Sequence, residues 1–274
     1  MRALEPHDVA LVRADNPGPF TLSGTNTWVV GRDPAWVIDP GPALPGHVAA
    51  IAAEVARRGG AGGIVLTHDH PDHAEAVGAL RERLGGTAPV AAMRGAVDLH
   101  VGDGERVGPF TALATPGHAP DHLTYVLDAV PHAAGGGAGA PGPIAFTGDA
   151  VLGEGSVFVA PDPGALAGYL AGLERLRARR LALICPGHGP LVEDPDAKLG
   201  EYVEHRLARE RALLAALAAG ARTIDELLDR AWADAPAILR PAATVTLAAH
   251  LDKLADEGRL PAGVQRPGRP DWLP

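Results

Sequence analysis

A single cysteine, Cys185, stands in a chain of 274 residues. One thiol excludes an intramolecular disulfide and a cysteine-built zinc site, so any metal here is held by histidine and carboxylate. Lysine is almost missing, at 2 residues against 22 arginines. With the abundant Ala, Gly and Pro, that imbalance reads as GC-rich coding rather than chemistry. No run of about 18 apolar residues is present, so no bilayer-spanning helix is predicted and the protein is expected to be soluble, with no membrane partner. The N-terminus places Glu5, His7 and Asp8 where a secretory signal needs an apolar stretch. Export is therefore not expected, and the cytoplasm is the default location. Positive charge is also short: the formal net charge is −9, which argues against a protein whose main task is to grip a nucleic-acid backbone but leaves a local basic groove open. The deficit lies in residues 1–200, with 14 basic and 22 acidic residues, whereas residues 201–274 hold 10 and 11.

What is present is globular: 46% hydrophobic and 21% charged residues, enough for a large core domain with a small appendage. Two apolar β-rich runs flank the Gly31–Pro34 turn and predict strands over Thr27–Val30 and Ala35–Ile38. A helical pattern from His47 to Gly60 leads to the short strand Gly63–Thr67, and a second helical pattern, Ala74–Gly86, follows the polar loop between them. The middle of the chain offers strand candidates at 89–93, 111–115, 122–128, 144–149 and 157–160. Between two of them lies PHAAGGGAGAPGP (131–143), low in complexity and read as a hairpin loop without function. A helix over Gly164–Arg179 precedes the apolar strand Leu181–Cys185. From about Lys198 the pattern turns helical, over 201–220, 223–233 (opened by a Thr223/Glu226 capping box) and 244–260. Three helices with a terminal Gly-Arg-Leu turn suggest a winged-helix-like module, with 261–274 as wing and tail. The division expected is residues 1–200 and 201–274.

Within six residues the sequence sets His68, His70, Asp72 and His73 immediately after a predicted strand. A borderline cation such as zinc takes imidazole nitrogen and carboxylate oxygen, and alternate residues of an extended loop can serve two adjacent ions. His118, Asp149 and His188 follow, each at a predicted strand end beside glycine, which lets backbone approach a crowded centre. An isolated histidine is most often a surface residue or the partner of a carbonyl. Seven such residues in this order are not explained that way. Asp39, Asp121 and His122 are candidates for orienting ligands, and Cys185, in an apolar strand, is expected to pack in the core.

This set resembles the metallo-β-lactamase superfamily over the first 190 residues. The resemblance implies an α+β fold, a four-layer αββα sandwich with its site at one edge of two sheets. It implies one metal held by His68, His70 and His118, a second held by Asp72, His73 and His188, and Asp149 bridging both. Two zinc ions so placed lower the pKa of a shared water and polarise a scissile carbonyl or phosphoryl oxygen, while Asp72 would also orient the resulting hydroxide.

GTNTWVVG (24–31), GDAVLGEGS (148–156), EYVEHRLARE (201–210) and AAHLDKLADEGRL (248–260) are similar to the lactamase-β-like protein 2 group. That likeness implies an endoribonuclease on single-stranded RNA, for which Arg206, Arg209, Arg266 and Arg269 are candidate phosphate contacts. AEAVGAL after the metal loop departs from glyoxalase II. A thioesterase or glyoxalase II-like hydrolase of a small acyl thioester remains the alternative, and a winged-helix nucleic-acid-binding regulator the third reading. For the last, the candidate recognition helix offers His250 and Lys253 beside Asp252, Asp256 and Glu257, so double-stranded DNA is a poor partner.

Overall fold

The computed structural model describes residues 2–128, 142–271 and 273. The glycine-rich stretch read as a hairpin loop lies outside the described residues except for Gly142 and Pro143.

Alternation along the strands builds the centre of the fold. The first sheet runs in the order β1 (Val9–Arg13), β2 (Asn26–Val30), β3 (Ala35–Ile38), β4 (Ala61–Val65), β5 (Val90–Ala92), β6 (Leu99–His100). The second contains β7 (Arg106–Val107), β8 (Phe110–Ala114), β9 (Leu123–Leu127), β10 (Ile144–Gly148) and β11 (Leu183–Pro186), ordered β11-β10-β9-β8-β7. Trp28, Val30, Ile38 and Val65 of the first sheet meet Phe110, Leu123, Tyr125 and Phe146 of the second. Their neighbours along each strand point the other way, as a period of two demands. Val29, Val37 and Ile64 pack beneath α1 (Pro45–Arg57) and α3 (Val77–Arg83). Val126, Ala145 and Ile184 pack beneath α4 (Ala165–Ala178) and the start of α5 (Pro195–Ala218). Two sheets face to face with helices on both outer faces make the four-layer αββα sandwich, and Cys185 is buried in its inter-sheet core as expected.

The helix α5 runs unbroken through position 200 and packs against both α4 and α6 (Ile224–Ala231). With α7 (Arg240–Asp256) it encloses a separate apolar core that includes Leu213, Leu217, Leu227, Trp232, Leu247 and Leu254. The capping box of α6 forms as read, Thr223 accepting from the Glu226 backbone while the Glu226 carboxylate accepts from that of Thr223.

Two expectations fail. Residues 157–160 do not form a strand. Their backbone groups are satisfied by isolated long-range bonds, Val159 N–H to Thr246 Oγ1 at 3.2 Å and Ala160 N–H to Gly117 O at 2.7 Å, rather than by a ladder. No strand follows β11 among the described residues, so 261–271 is not a β-wing; Pro261, Pro267 and Pro270 cannot donate to one. Its tie to the module includes the bond from Gln265 N–H to Arg222 O at 2.8 Å. Among the described residues no helix is long and apolar enough to cross a membrane.

Phe146 is fully buried, its ring 6.1 Å from that of Trp28 and 5.8 Å from that of Phe110, and so ties one sheet to the other. Phe146→Ala is expected to cost about 3–5 kcal/mol, the loss for a large aromatic deleted from a close-packed core, read as a lower denaturation midpoint with an unchanged m-value.

Candidate metal centre

Strand register brings the candidate residues to one edge. β3 and β4 are parallel with Ile38 opposite Val65, so Asp39 emerges beside Leu66, Thr67 and His68. β10 and β11 are parallel with Gly148 opposite Pro186, so Asp149 emerges beside Gly187 and His188. β8 and β9 pair with Ala114 opposite Leu123, which places His118 in the connection above them. A bond from Leu123 N–H to Thr67 O, 2.7 Å, joins the two sheets at this edge.

The dense motif is not extended throughout, as the spacing suggested. It turns at Pro71, whose ring fixes φ for a first helical position, into the one-turn helix α2 (Pro71–Ala74). His68 and His70 stay on the extended side, while Asp72 and His73 ride the helical turn towards His188. Three groups of ligand atoms result, each drawn together within 4.8 Å: His68, His70 and His118; Asp72, His73 and His188; and His68, His73 and Asp149. All seven sequence candidates are therefore brought together.

The spacing suits ligands gathered around cations. For ligand bonds of about 2.0–2.1 Å, tetrahedral zinc keeps its ligand atoms about 3.3–3.4 Å apart. His188 Nε2 stands 3.2 Å from Asp72 Oδ2, 3.2 Å from His73 Nε2 and 3.3 Å from Asp149 Oδ1; His73 Nε2 stands 3.6 Å from Asp72 Oδ2 and 3.4 Å from Asp149 Oδ1. On the other side His118 Nε2 is 3.0 Å from His70 Nδ1 and 3.5 Å from Asp149 Oδ2. Asp149 thus turns one oxygen to each group. His68 Nε2 and Asp149 Oδ1 are buried and without a hydrogen-bond partner, and buried polar atoms are costly to leave so unless something binds them.

The electrostatics agree. Burial drives the imidazoles of His68 and His118 towards neutrality, His118 down to about 4, so both keep a lone pair for a cation. Burial opposes ionisation of Asp149, but the neighbouring His188, His73 and His118 overcome it and hold its carboxyl well below the usual range. At His73 burial is likewise outweighed, here by Asp149, Asp39 and Asp72, which raise its pKa well above that of free imidazole. Three carboxylates around one buried imidazole call for positive charge.

Asp39, a candidate without a stated geometry in the sequence, receives its role from the fold. Held at φ +50°, it is buried, and its Oδ1 accepts from Thr67 N–H at 2.8 Å while its Oδ2 accepts from Thr67 Oγ1 at 2.7 Å and from His73 Nδ1 at 2.9 Å. Since the Thr67 hydroxyl donates to Asp39, it accepts from His68 Nδ1, 3.0 Å away. One carboxylate therefore directs Nε2 of both His68 and His73 to the centre, the tautomer control that metal-ligating histidines require.

His122 is not in any of the three groups. It accepts from Asp149 N–H at 3.1 Å and, through Nδ1, meets Thr115 Oγ1 at 2.9 Å. Asp121 is buried, and burial raises its carboxyl above the usual range. Sequence reading missed Thr67 and Asn26, although Asn26 lies in the GTNTWVVG segment. Its amide donates to Pro186 O and Gly189 O at 3.0 and 2.9 Å and so brackets His188. The expectation that glycine admits close backbone holds at Gly187, where a Cβ would fall 2.8 Å from His73 Cε1 and 2.9 Å from Asp149 Oδ1.

The centre opens into a cavity of about 440 Å³ lined by His70, Asp72, His118 and Asp149 on one side and elsewhere mainly by apolar groups such as Phe20, Leu152, Phe158, Trp232 and Leu239, with Glu154, His205, Arg206, Arg209 and Asp234 among them. Of the arginines proposed for phosphate, Arg206 is buried and donates to Val157 O and Ser156 Oγ. Arg209 is bidentate on Asp234, Arg266 is bidentate on Asp252, and Arg269 reaches Asp162. His250 is fully buried and Lys253 is paired with Glu210 and Glu257, so neither is set for a DNA groove.

Asp39→Asn keeps the volume but removes the charge that both tautomers lean on. It is expected to weaken metal affinity by about 10–100-fold, and at both positions, when titrated by competition with a chromophoric chelator. Loss confined to one ion would assign Asp39 to His73 alone.

Residues 20–188 match the Metallo-beta-lactamase superfamily, and residues 223–262 match the Beta-lactamase associated winged helix domain. The chain is 30% identical over 266 residues to the Beta-lactamase-like protein 2 homolog of Caenorhabditis elegans, covering 91% of this chain and 85% of that protein. It is 35% identical over 222 residues to the atrochrysone carboxyl ACP thioesterase of Aspergillus chevalieri, covering 76% and 65%. Among solved structures, a metallo-beta-lactamase family protein from Thermus thermophilus superposes with a TM-score of 0.71 at 21% identity, over 92% of this chain and 94% of that one; at this identity the likeness speaks to the fold. A sandwich with two opposed ligand groups at its edge, matched in sequence from before the first ligand to the last, makes this chain a member of the metallo-β-lactamase superfamily.

Proposed function

We propose that the chain is a hydrolase of a small acyl ester or thioester that works with two divalent cations, assigned as zinc. One belongs to His68, His70 and His118, the other to Asp72, His73 and His188, with Asp149 between them. Bound there, the pair supplies the acidity that makes water reactive near neutral pH and the charge that polarises a scissile carbonyl. The protein's own part is orientation. Asp149 divides its two oxygens between the groups, Asp39 fixes two of the imidazoles, and Asp72, about a third exposed and facing the cavity, accepts a hydrogen bond from the attacking water and aims it.

The observation that carries the substrate class is the apolar cavity against the ligand cluster. About 440 Å³ lies within the range of about 300–1,000 Å³ typical of small-molecule pockets. His205, in its wall, is held down to about 4 by burial and by Arg206 and Arg209, so it adds no charge at neutral pH. The engagement of Arg206, Arg209, Arg266 and Arg269 with protein partners supports the acyl reading over single-stranded RNA, where each phosphate would need a cation. A thioesterase among the relatives supports it too.

Elemental analysis of metal-loaded protein is expected to give two ions per chain. Assayed in parallel on an S-acyl thioester and a labelled unstructured oligoribonucleotide, that protein is expected to hydrolyse the thioester and leave the RNA intact. Asp149→Ala should lower thioester turnover by more than the about 10–100-fold that accompanies loss of an outer-shell partner. RNA cleavage that vanishes in Asp149→Ala, with the thioester untouched, would overturn the proposal in favour of the nuclease reading.

A further inference from the structure

The cavity wall away from the ligand cluster is built by the C-terminal helices. Trp232, at the end of α6, is 8% exposed and lines the cavity together with Leu239, Ala242 and Ala243. Its ring is backed by that of His250 at 5.7 Å and by the Arg209 guanidinium, also at 5.7 Å, so it is held in place and not folded in from solvent.

The same helices fix a second part of the wall, on the sandwich. Phe158 lies with its ring centroid 4.5 Å from the ring of His118 and 6.2 Å from that of Phe20. It is carried by the segment 156–160, which joins neither sheet. Arg206 of α5 donates to Val157 O and to Ser156 Oγ, and Thr246 of α7 accepts from Val159 N–H, while the bond from Ala160 N–H to Gly117 O comes from the sandwich. Arg206 is itself locked, 2% exposed and with its guanidinium 5.4 Å from the ring of Tyr169, whose hydroxyl donates to Ala150 O at 2.7 Å, next to Asp149.

We infer that the C-terminal module is the acyl-specificity element of this site: Trp232 and Ala243 set the size of the apolar group the cavity accepts, and Arg206 with Thr246 hold Phe158 beside His118. The ligand class is an apolar acyl group, bound by area and shape. Most polar groups of this wall are already engaged, Arg209 with Asp234, Thr246 with Val159 and Ala242, and Arg206 Nη2 with Val157 O and Ser156 Oγ, while Arg206 Nε is buried without a hydrogen-bond partner. This inference rests on the acyl reading above, yet it concerns binding, which can be measured without turnover.

The test uses the full chain and n-alkanols of increasing length, which fill an apolar pocket but cannot be hydrolysed. Affinity measured by calorimetry is expected to rise about fourfold per added methylene up to a limiting length and then to level off. Trp232→Ala should move that limit to longer chains, and Ala243→Leu should move it to shorter ones, the second variant guarding against a fold weakened by loss of the indole. The same displacements are expected in kcat/KM across a series of S-acyl-N-acetylcysteamine thioesters. Arg206→Met should lower kcat/KM at every length without moving the limit, and Arg206→Lys should restore part of it. An unchanged limit in both wall variants, or affinity that does not grow with chain length, would overturn the inference. Limits that move as stated for alkanols, with no thioester hydrolysed, would uphold the module as the pocket's gauge and overturn the proposed reaction instead.

Discussion

Buried charge at the mouth of two sheets governs this molecule. Asp39 and Asp149 are almost wholly withdrawn from water, and a carboxylate so placed is tolerated only when hydrogen bonds and positive charge surround it. Asp39 meets that demand with Thr67 and His73, whereas Asp149, ringed by His73, His118 and His188 and bonded through its backbone to His122, keeps Oδ1 buried without a hydrogen-bond partner. The local departures from regular geometry follow from it: the left-handed backbone at Asp39, the helical turn at Pro71, and the glycine at 187, where a side chain would strike His73.

The sandwich supplies what such a cluster needs from its surroundings. Aromatic contacts among Trp28, Phe110, Tyr125 and Phe146 keep the sheets in register across the inter-sheet core, and close packing makes that register stiff. Stiffness matters because metal ligands must be held to within a few tenths of an ångström to bind and orient. Tyr125 also donates to Leu66 O, one residue before the Thr67–His68 pair, so the core reaches directly to the ligands.

The C-terminal helices take part in the site although they contribute no metal ligand. Their own core, around Leu217, Leu227 and Leu247, folds about an independent apolar stripe, yet Arg206, Trp232 and Thr246 turn towards the sandwich. Charged side chains that the sequence offered for nucleic acid are instead tied within the molecule. Arg209, Arg266 and Arg269 meet carboxylates of the same chain, and Arg206 is held by the 156–157 segment.

The sequence by itself determined the seven ligand candidates, the alternation that makes the strands of a sandwich, and the capping box of α6. Each is a local pattern whose chemistry is carried by adjacent residues, so one chain suffices to read it. It also settled that cysteine has no part in the centre. Only the tertiary structure decided which of these atoms come together, because that depends on the register of β3 with β4 and of β10 with β11, pairings between segments far apart in the chain. For the same reason Asp39 was legible only as a candidate for orienting ligands, without its partners, and the roles of Thr67 and Asn26 were invisible: each depends on partners distant in the chain. The strand expected at 157–160 failed because an apolar run states that it will be buried and not by what. Here single bonds from Thr246, Arg206 and Gly117 replace a ladder, and that choice was made in large part by helices far downstream.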